Sequence, residues 1–260
     1  MECGPSIEGA TPLTEPGAVL LIGEMHGTNE APEAVGRIAC HAARRPERSV
    51  IVALEIAKDN QAAVDTFLAS DGSSEARLAV LQAPHFVQPF KDGRSSAAMV
   101  DLLESIRGWR SQGAAIDVLC YDVNPGWHTT GVQRDAVMAE SIVAARHAHA
   151  TAALVVLSGN IHNRTKPGTP WDPAFVPMGV PVREAFPHTI SLDFDSAGGT
   201  FWACMATPEG ETKCGTAQGS GTERGSSAFV ELFDEADDAG FDGTLYVGTT
   251  TASEPAVPSM

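Results

Sequence analysis

The chain has 260 residues, of which 43% are hydrophobic and 19% charged, and its formal net charge is −16. This composition is typical of a globular protein with a sizeable core. The acidic balance argues against nucleic acid as a partner, because phosphate backbones are bound by clustered Lys and Arg. No apolar stretch approaches the roughly 20 residues that span a bilayer, so we predict no transmembrane segment.

The segment Met1–Pro16 contains three prolines and no periodic pattern, and it has neither the charged nor the apolar region of a signal peptide. We therefore predict an N-terminal tail over residues 1–16, a single α/β domain over 17–248 and a C-terminal tail over 249–260. Four continuous apolar runs in this domain have the length of buried strands. They are Ala18–Ile22, Val50–Leu54, Ala115–Cys120 and Ala153–Leu157.

Segments with the periodicity of amphipathic helices lie between these runs. They begin at Pro32, at Asp59 and at Ser95 or Ser96, and a fourth covers roughly 132–148. Strands that alternate with helices indicate a mostly parallel sheet with helices on both faces. The C-terminal third predicts further strands, added antiparallel to this sheet, and a flexible Gly/Ser-rich segment over Gly215–Ser227. These strands are Thr189–Phe194, Thr200–Met205, Ala228–Phe233 and a last one over Asp242–Val247.

Ionisable or polar side chains follow the end of every predicted parallel strand. Two strands end in Gly-x-x-His, giving Glu24 with His26 and Asn160 with His162, and the other two end in Glu55 and Asp122. Ligands of open α/β sheets bind outside the carboxyl ends of the strands, so we expect one site there. For Asp122, the exposure of strand ends is an equally good explanation of its polarity.

Two histidines with neighbouring glutamates permit two kinds of hydrolytic chemistry. In one, an imidazole is the general base for water and a glutamate fixes its tautomer. In the other, the same groups bind a divalent metal that lowers the pKa of a bound water. The chain contains no Gly-x-Ser-x-Gly elbow, no P-loop, no Gly-x-Gly-x-x-Gly and no His-Glu-x-x-His.

The order of these motifs resembles the erythromycin esterase/ChaN/Tiki superfamily. The resemblance covers roughly residues 18–165 and is carried by Gly23–Glu30, by the strand that ends in Glu55, by Arg134-Asp135-x-x-Met138-Ala139 and by Gly159–His162. It implies a three-layer α/β fold with the site at the strand ends. The family includes esterases that open macrolide rings, metal-dependent Tiki proteases and haem-binding uptake lipoproteins.

Gly27-Thr28-x-Glu30 after the histidine is most similar to the esterase branch. That similarity implies that His26 activates water, that Glu24 and Glu55 orient and stabilise it, and that His162 assists as an acid or oxyanion partner. It further implies that Arg134 holds a substrate carboxylate or pairs with Asp135. We add three substrate-binding candidates, Asp122, Asn160 and Trp171.

The predicted function is a hydrolase acting on an ester or related bond of a small molecule, with no cofactor. The alternatives are a metal-dependent hydrolase or protease that holds Mn, Co or Zn on His26, Glu55 and His162, and a non-catalytic haem- or metal-binding uptake protein. Neither tyrosine of the chain, Tyr121 or Tyr246, stands in the context of a haem ligand. The oligomeric state is left open.

Residues 163–187 contain six prolines, Trp171 and Phe175 directly after the second Gly-x-x-His. A long irregular loop in that position is typical of a functional element. We predict a lid over the site in which the two aromatic residues form an apolar wall. The alternative is a surface connector.

Two of the five cysteines, Cys204 and Cys214, flank a turn pattern and would face each other in a hairpin. A disulfide between them would place the protein outside the reducing cytosol. Two reduced thiols in a cytoplasmic protein are the alternative. Cys40 and Cys120 are expected to be free and buried, and Cys3 to be unpaired near a loose end.

Overall fold

The structure, a computed structural model, describes residues 1–123, 131–207 and 210–258, with the backbone alone for 131–133. The strands of this part of the chain, numbered in chain order, are β1 (Val19–Glu24), β2 (Val50–Ala57), β3 (Ile116–Asp122), β4 (Ala153–Gly159), β5 (Ile190–Asp195), β6 (Gly199–Ala206), β7 (Thr212–Gly219), β8 (Phe229–Leu232) and β9 (Gly243–Tyr246). The helices are α1 (Glu30–Ala43), α2 (Gln61–Leu68), α3 (Ser74–Leu81), α4 (Pro84–Val87), α5 (Ala97–Ser111), α6 (Gly131–Ala148) and α7 (Gly179–Ala185).

Seven strands form one sheet in the order β3-β2-β4-β1-β5-β9-β8. All neighbours in it are parallel except the pair of β8 and β9. Alternate side chains of the central strands enter two separate cores: Leu20 and Ile22 pack with α1, α2 and α5, whereas Val19 and Leu21 pack with α6 and α7. The continuous apolar runs are thus explained by burial on both faces, and the predicted mixed α/β fold is confirmed.

The C-terminal third differs in strand direction from the prediction. Strands β5 and β9 are parallel to β1, and only β8 joins the sheet antiparallel. Strands β6 and β7 form a separate two-stranded hairpin. The first five residues of the stretch predicted to be flexible, 215–219, belong instead to strand β7.

The disulfide between Cys204 and Cys214 is present, and it joins directly opposite residues of the hairpin. Pro208 and Glu209 of the turn between them lie outside the described residues. A second disulfide joins Cys3 to Cys40, so the prediction that these two thiols are free is wrong, and Cys120 alone of the five is free and buried. Two bonded pairs favour an oxidising environment.

The terminal segments both pack on the domain. Ile7, Ala10 and Leu13 are buried in the larger core, and the backbone N–H of Val230 donates to Glu8. At the other end, the hydroxyl of Ser253 accepts from the backbone N–H of Ala98 in the first turn of α5. The helices of the described chain include none long and apolar enough to cross a membrane.

Candidate active site

The two Gly-x-x-His motifs are neighbours because β1 pairs with β4. The parallel register places Gly23 beside Ser158 and Glu24 beside Gly159, so both histidines follow adjacent strands at the same edge of the sheet. Beyond β1, Gly27 has a φ of +78°, a conformation that glycine adopts without the cost a Cβ would bring. This turn keeps His26 over the strand ends.

His26 lies between two buried glutamates. Its Nδ1 is 2.8 Å from Glu24 Oε1 and its Nε2 is 3.5 Å from Glu55 Oε2. Both carboxylates are almost fully buried, whereas 21% of the imidazole remains exposed. His26 is therefore the reachable member of the group.

Electrostatics decides the charge of His26. Burial by itself would lower the pKa of the imidazole, but the charges of Glu55 and Glu24 together raise that pKa to about 9. The side chain is consequently an imidazolium at neutral pH, and its basic form becomes the major one only above about pH 9. When it is basic, the hydrogen bond to Glu24 keeps the remaining proton on Nδ1 and leaves Nε2 as the acceptor.

Glu55 connects most of the charged groups of the site. Its Oε2 accepts from the backbone N–H of Gly159 at 2.9 Å, and its Oε1 lies 2.5 Å from Arg134 Nη2. Burial would raise the pKa of Glu55, but His26, His162, Arg134 and Arg94 hold it well below its usual range. Glu55 is therefore a fixed negative charge and a weak base.

Arg134 is held by the protein on all sides of its guanidinium. It donates to both oxygens of Asp122 at 2.8 Å and to Glu55, and its Nη1 is 3.1 Å from His162 Nε2. A pairing of Arg134 with Asp135, one of the two expected roles, is not formed. Asp122 is buried against Arg134, and its carboxylate balances the charge of that guanidinium.

His162 is oriented by a carboxylate that the sequence did not assign to it. Its Nδ1 is 2.9 Å from both oxygens of Asp135, which also accepts from the backbone N–H of Met178. Since Asp135 accepts at Nδ1, that nitrogen carries a proton, and the Nε2 of the same ring faces Arg134. His162 thus contacts Arg134, and its Nε2 lies 4.0 Å from Glu55.

Arg94 is a second guanidinium of the site, and sequence reasoning missed it. It forms a fork with Asp92, and its Nη1 lies 3.5 Å from both Glu55 and Asp122. His85 donates through Nε2 to the backbone carbonyl of Arg94 at 3.0 Å; burial lowers the pKa of His85 to about 4, which keeps it neutral. Both contacts of Arg94 Nη1 are long for hydrogen bonds.

Asn160 and Trp171 were also predicted to bind substrate. The amide of Asn160 donates to Asp193 at 3.2 Å. Trp171 is 73% exposed, so in this structure it forms no closed wall over the histidines. Its contact with substrate and the lid function of residues 163–187 stay predictions.

A metal held by His26, Glu55 and His162 would compete with ion pairs that Glu55 already forms. Among the described residues no three His, Cys, Asp or Glu side chains are grouped as ligands of one ion. The carboxylate that would bridge the two histidines, Glu55, is already bound by Arg134, and a cation would have to displace that guanidinium. For the haem alternative, the hydroxyls of Tyr121 and Tyr246 are both engaged, donating to backbone carbonyls.

Gly159 offers a direct test of how tightly His26 is packed. A Cβ at this position would lie 2.9 Å from His26 Nε2, so Gly159→Ala should displace the imidazole. A misplacement of a catalytic group by about 1 Å can cost about 10²-fold in rate. We therefore expect kcat to fall by about 10–100-fold. The matched control is Gly108→Ala in α5, where a Cβ meets nothing within 4 Å: it should leave kcat unchanged. Equal kcat in the two variants would show that the imidazole is not confined as described.

Comparison with solved structures identifies proteins of the same fold. The chain superimposes on a histidine-to-asparagine mutant of the erythromycin esterase EreC in its open conformation with a TM-score of 0.68, at 12% identity over 95% of this chain and 94% of that one. A Bacillus cereus protein gives 0.59 at 11% identity, covering 95% and 91% of the two chains. A succinoglycan biosynthesis protein gives 0.58 at 9% identity, covering 92% and 89%.

At these identities the likeness shows the fold, and it agrees with the superfamily that the motifs resemble. The chain matches no family profile and no curated protein.

Proposed function

We propose that this protein is a hydrolase in which His26 removes a proton from a water molecule that attacks the ester carbonyl of a small molecule. The observation that carries the proposal is the position of His26 between Glu24 and Glu55. A partly exposed imidazole with a fixed tautomer is suited to general-base catalysis in its neutral form.

The reaction begins with the neutral form of His26. Nε2 takes a proton from water as the oxygen attacks the carbonyl carbon, and the imidazolium that forms is stabilised by Glu24 and Glu55. The tetrahedral intermediate then collapses, and the proton on Nε2 passes to the leaving alcohol. One water is consumed, and a carboxylic acid and an alcohol are released.

Arg94 is the residue we assign to the developing negative charge. Its Nη1 has only long contacts to Glu55 and Asp122, so it can turn to a substrate oxygen without breaking the fork with Asp92. A positioned cation of this kind stabilises the intermediate more than the neutral carbonyl. Arg134 and His162 lie near the same oxygen of Glu55, Oε1, and hold that carboxylate in place.

The fold likeness to an erythromycin esterase supports hydrolysis, and the arginine bound to Glu55 favours chemistry without a metal. The two disulfides support a location outside the cytosol. The proposed partner is therefore a small-molecule ester encountered in an oxidising compartment.

A panel of 4-nitrophenyl acetate, a lactone, 4-nitrophenyl phosphate and a peptide, assayed with and without EDTA, tests this proposal. We expect hydrolysis of the acetate and the lactone at a rate that EDTA leaves unchanged. Activity on the peptide or the phosphate alone, or activity lost to EDTA and restored by Mn²⁺, Co²⁺ or Zn²⁺, would contradict it.

A further inference from the structure

The hairpin of β6 and β7 lies outside the main sheet, yet its Trp202 contacts two segments of the candidate site. The backbone N–H of Trp202 donates to the carbonyl of Gly27 at 2.8 Å. Its indole Nε1 donates to the carbonyl of Lys91, also at 2.8 Å. Gly27 follows His26 directly, and Lys91 lies three residues before Arg94.

The backbone packs so tightly here that only glycine fits. A Cβ on Gly27 would collide with the carbonyl oxygen of Trp202, and a Cβ on Gly93 would lie 2.6 Å from the backbone nitrogen of Gly27. Gly27 is thus enclosed between the segment that carries Arg94 and the hairpin. A movement of Trp202 would shift the relative positions of His26 and Arg94.

The disulfide stabilises the element that holds Trp202. Cys204 is two residues along β6, on the same face of the strand, and its Sγ lies 3.1 Å from the carbonyl of Lys91. An isolated two-stranded hairpin is marginally stable in water. The bond between Cys204 and Cys214 restricts its open forms.

We infer that Trp202 is a positioning residue for the site, that it sets His26 against Arg94 through Gly27 and Lys91, and that the Cys204–Cys214 bond maintains this contact. The inference extends the proposed hydrolase. We therefore expect the activity to be sensitive to reduction of the Cys204–Cys214 disulfide and insensitive to reduction of the Cys3–Cys40 disulfide.

The test compares Trp202→Phe with Trp109→Phe in the full-length protein. Both substitutions keep an aromatic ring and remove one indole hydrogen bond to a backbone carbonyl, because Trp109 donates to Glu2 at 3.0 Å far along α5. We expect kcat/KM for 4-nitrophenyl acetate to fall about tenfold in Trp202→Phe, since misplacement of catalytic groups lowers rate steeply, and to be unchanged in Trp109→Phe. The double variant Cys204→Ser/Cys214→Ser should lose activity in the same way, and Cys3→Ser/Cys40→Ser should not.

A second readout is independent of turnover. The titration midpoint of His26, followed by NMR and assigned with His26→Asn, depends on the distances from His26 to Glu24, Glu55 and Arg94. It should move in Trp202→Phe and in Cys204→Ser/Cys214→Ser, and it should be unchanged in the two control variants.

The two readouts separate the failure of this inference from the failure of the proposed function. If the protein hydrolyses no ester but the titration of His26 shifts in these variants, the positioning role of Trp202 is supported and the proposed hydrolase function is contradicted. Kinetics and titration that are both unchanged in Trp202→Phe and in the hairpin double variant, measured on folded protein, would overturn the positioning role.

Discussion

Replacing His26 with Ala should lower kcat for ester hydrolysis by about 10²–10⁴-fold, the range that general-base catalysis contributes. The substitution removes the group that accepts the proton of water and leaves Glu24 and Glu55 in place. Glu55 cannot substitute for it, because its neighbours hold its pKa well below the usual range. The measurement is the steady-state rate on 4-nitrophenyl acetate.

The control for this variant is His41→Ala. His41 lies in the last turn of α1, where its imidazole contacts the carbonyl of Gly4. Loss of this side chain should not change kcat. Residual activity of His26→Ala above about a tenth of the wild-type rate would exclude His26 as the base, since general-base catalysis contributes at least about 10²-fold.

Replacing Glu55 with Gln should affect both stability and catalysis. The amide keeps an acceptor for Gly159 but loses the charge that faces Arg134 and Arg94. Breaking a buried ion pair costs about 3–5 kcal/mol; Arg134 retains Asp122 and Arg94 retains Asp92. We therefore expect the free energy of unfolding at pH 7 to fall by about 2–3 kcal/mol, at or below the lower end of that range.

The dependence of this loss on pH has a definite sign. The pKa of Glu55 in the folded protein is depressed below its ordinary value of 4.5, so its contribution is fully present above that value. The contribution is lost as the pH falls through the depressed pKa. The difference in unfolding free energy between wild type and Glu55→Gln should accordingly shrink in acid, as measured by urea denaturation at several pH values.

Asp117→Asn is the matched control for Glu55→Gln. Asp117 also pairs with an arginine, but 67% of its side chain is exposed. Exposed pairs contribute about 0–1 kcal/mol. Equal losses of stability in the two variants would contradict the central position of Glu55 in the buried charge network.

The convergence of His26, Glu55 and His162 was predictable because the sequence contains its two causes. Continuous apolar runs indicated parallel strands, and the carboxyl ends of parallel strands meet at one edge of a sheet. The pairing of β1 with β4 then brings the two Gly-x-x-His motifs together.

Arg94 was not predictable from local pattern. It lies in the irregular stretch between α4 and α5, and its contacts to Glu55 and Asp122 join residues far apart in the chain. Asp135 was noted in the sequence motif, but only as one of two alternative partners of Arg134. Neighbouring residues of a helix point about 100° apart, so Arg134 and Asp135 contact different groups and Asp135 binds His162.

The direction of β5 was mispredicted for a related reason. A parallel strand needs a crossover connection, usually a helix. The proline-rich stretch gave no helical pattern, yet α7 forms within it, and β5 then returns parallel to β1. The bond from Cys3 to Cys40 was likewise invisible, because it depends on the packing of the N-terminal segment on α1.

The pH dependence of kcat/KM, measured for wild type and Glu55→Gln, tests the central claim most directly, because this ratio reports the ionisation of the free enzyme. Only the neutral form of His26 is a base, and Glu55 raises its pKa, which is about 9. The account predicts a wild-type rate that rises with pH to a midpoint near that value, and a curve displaced to lower pH in Glu55→Gln. Superimposable curves, or a rate that falls over this range, would contradict it.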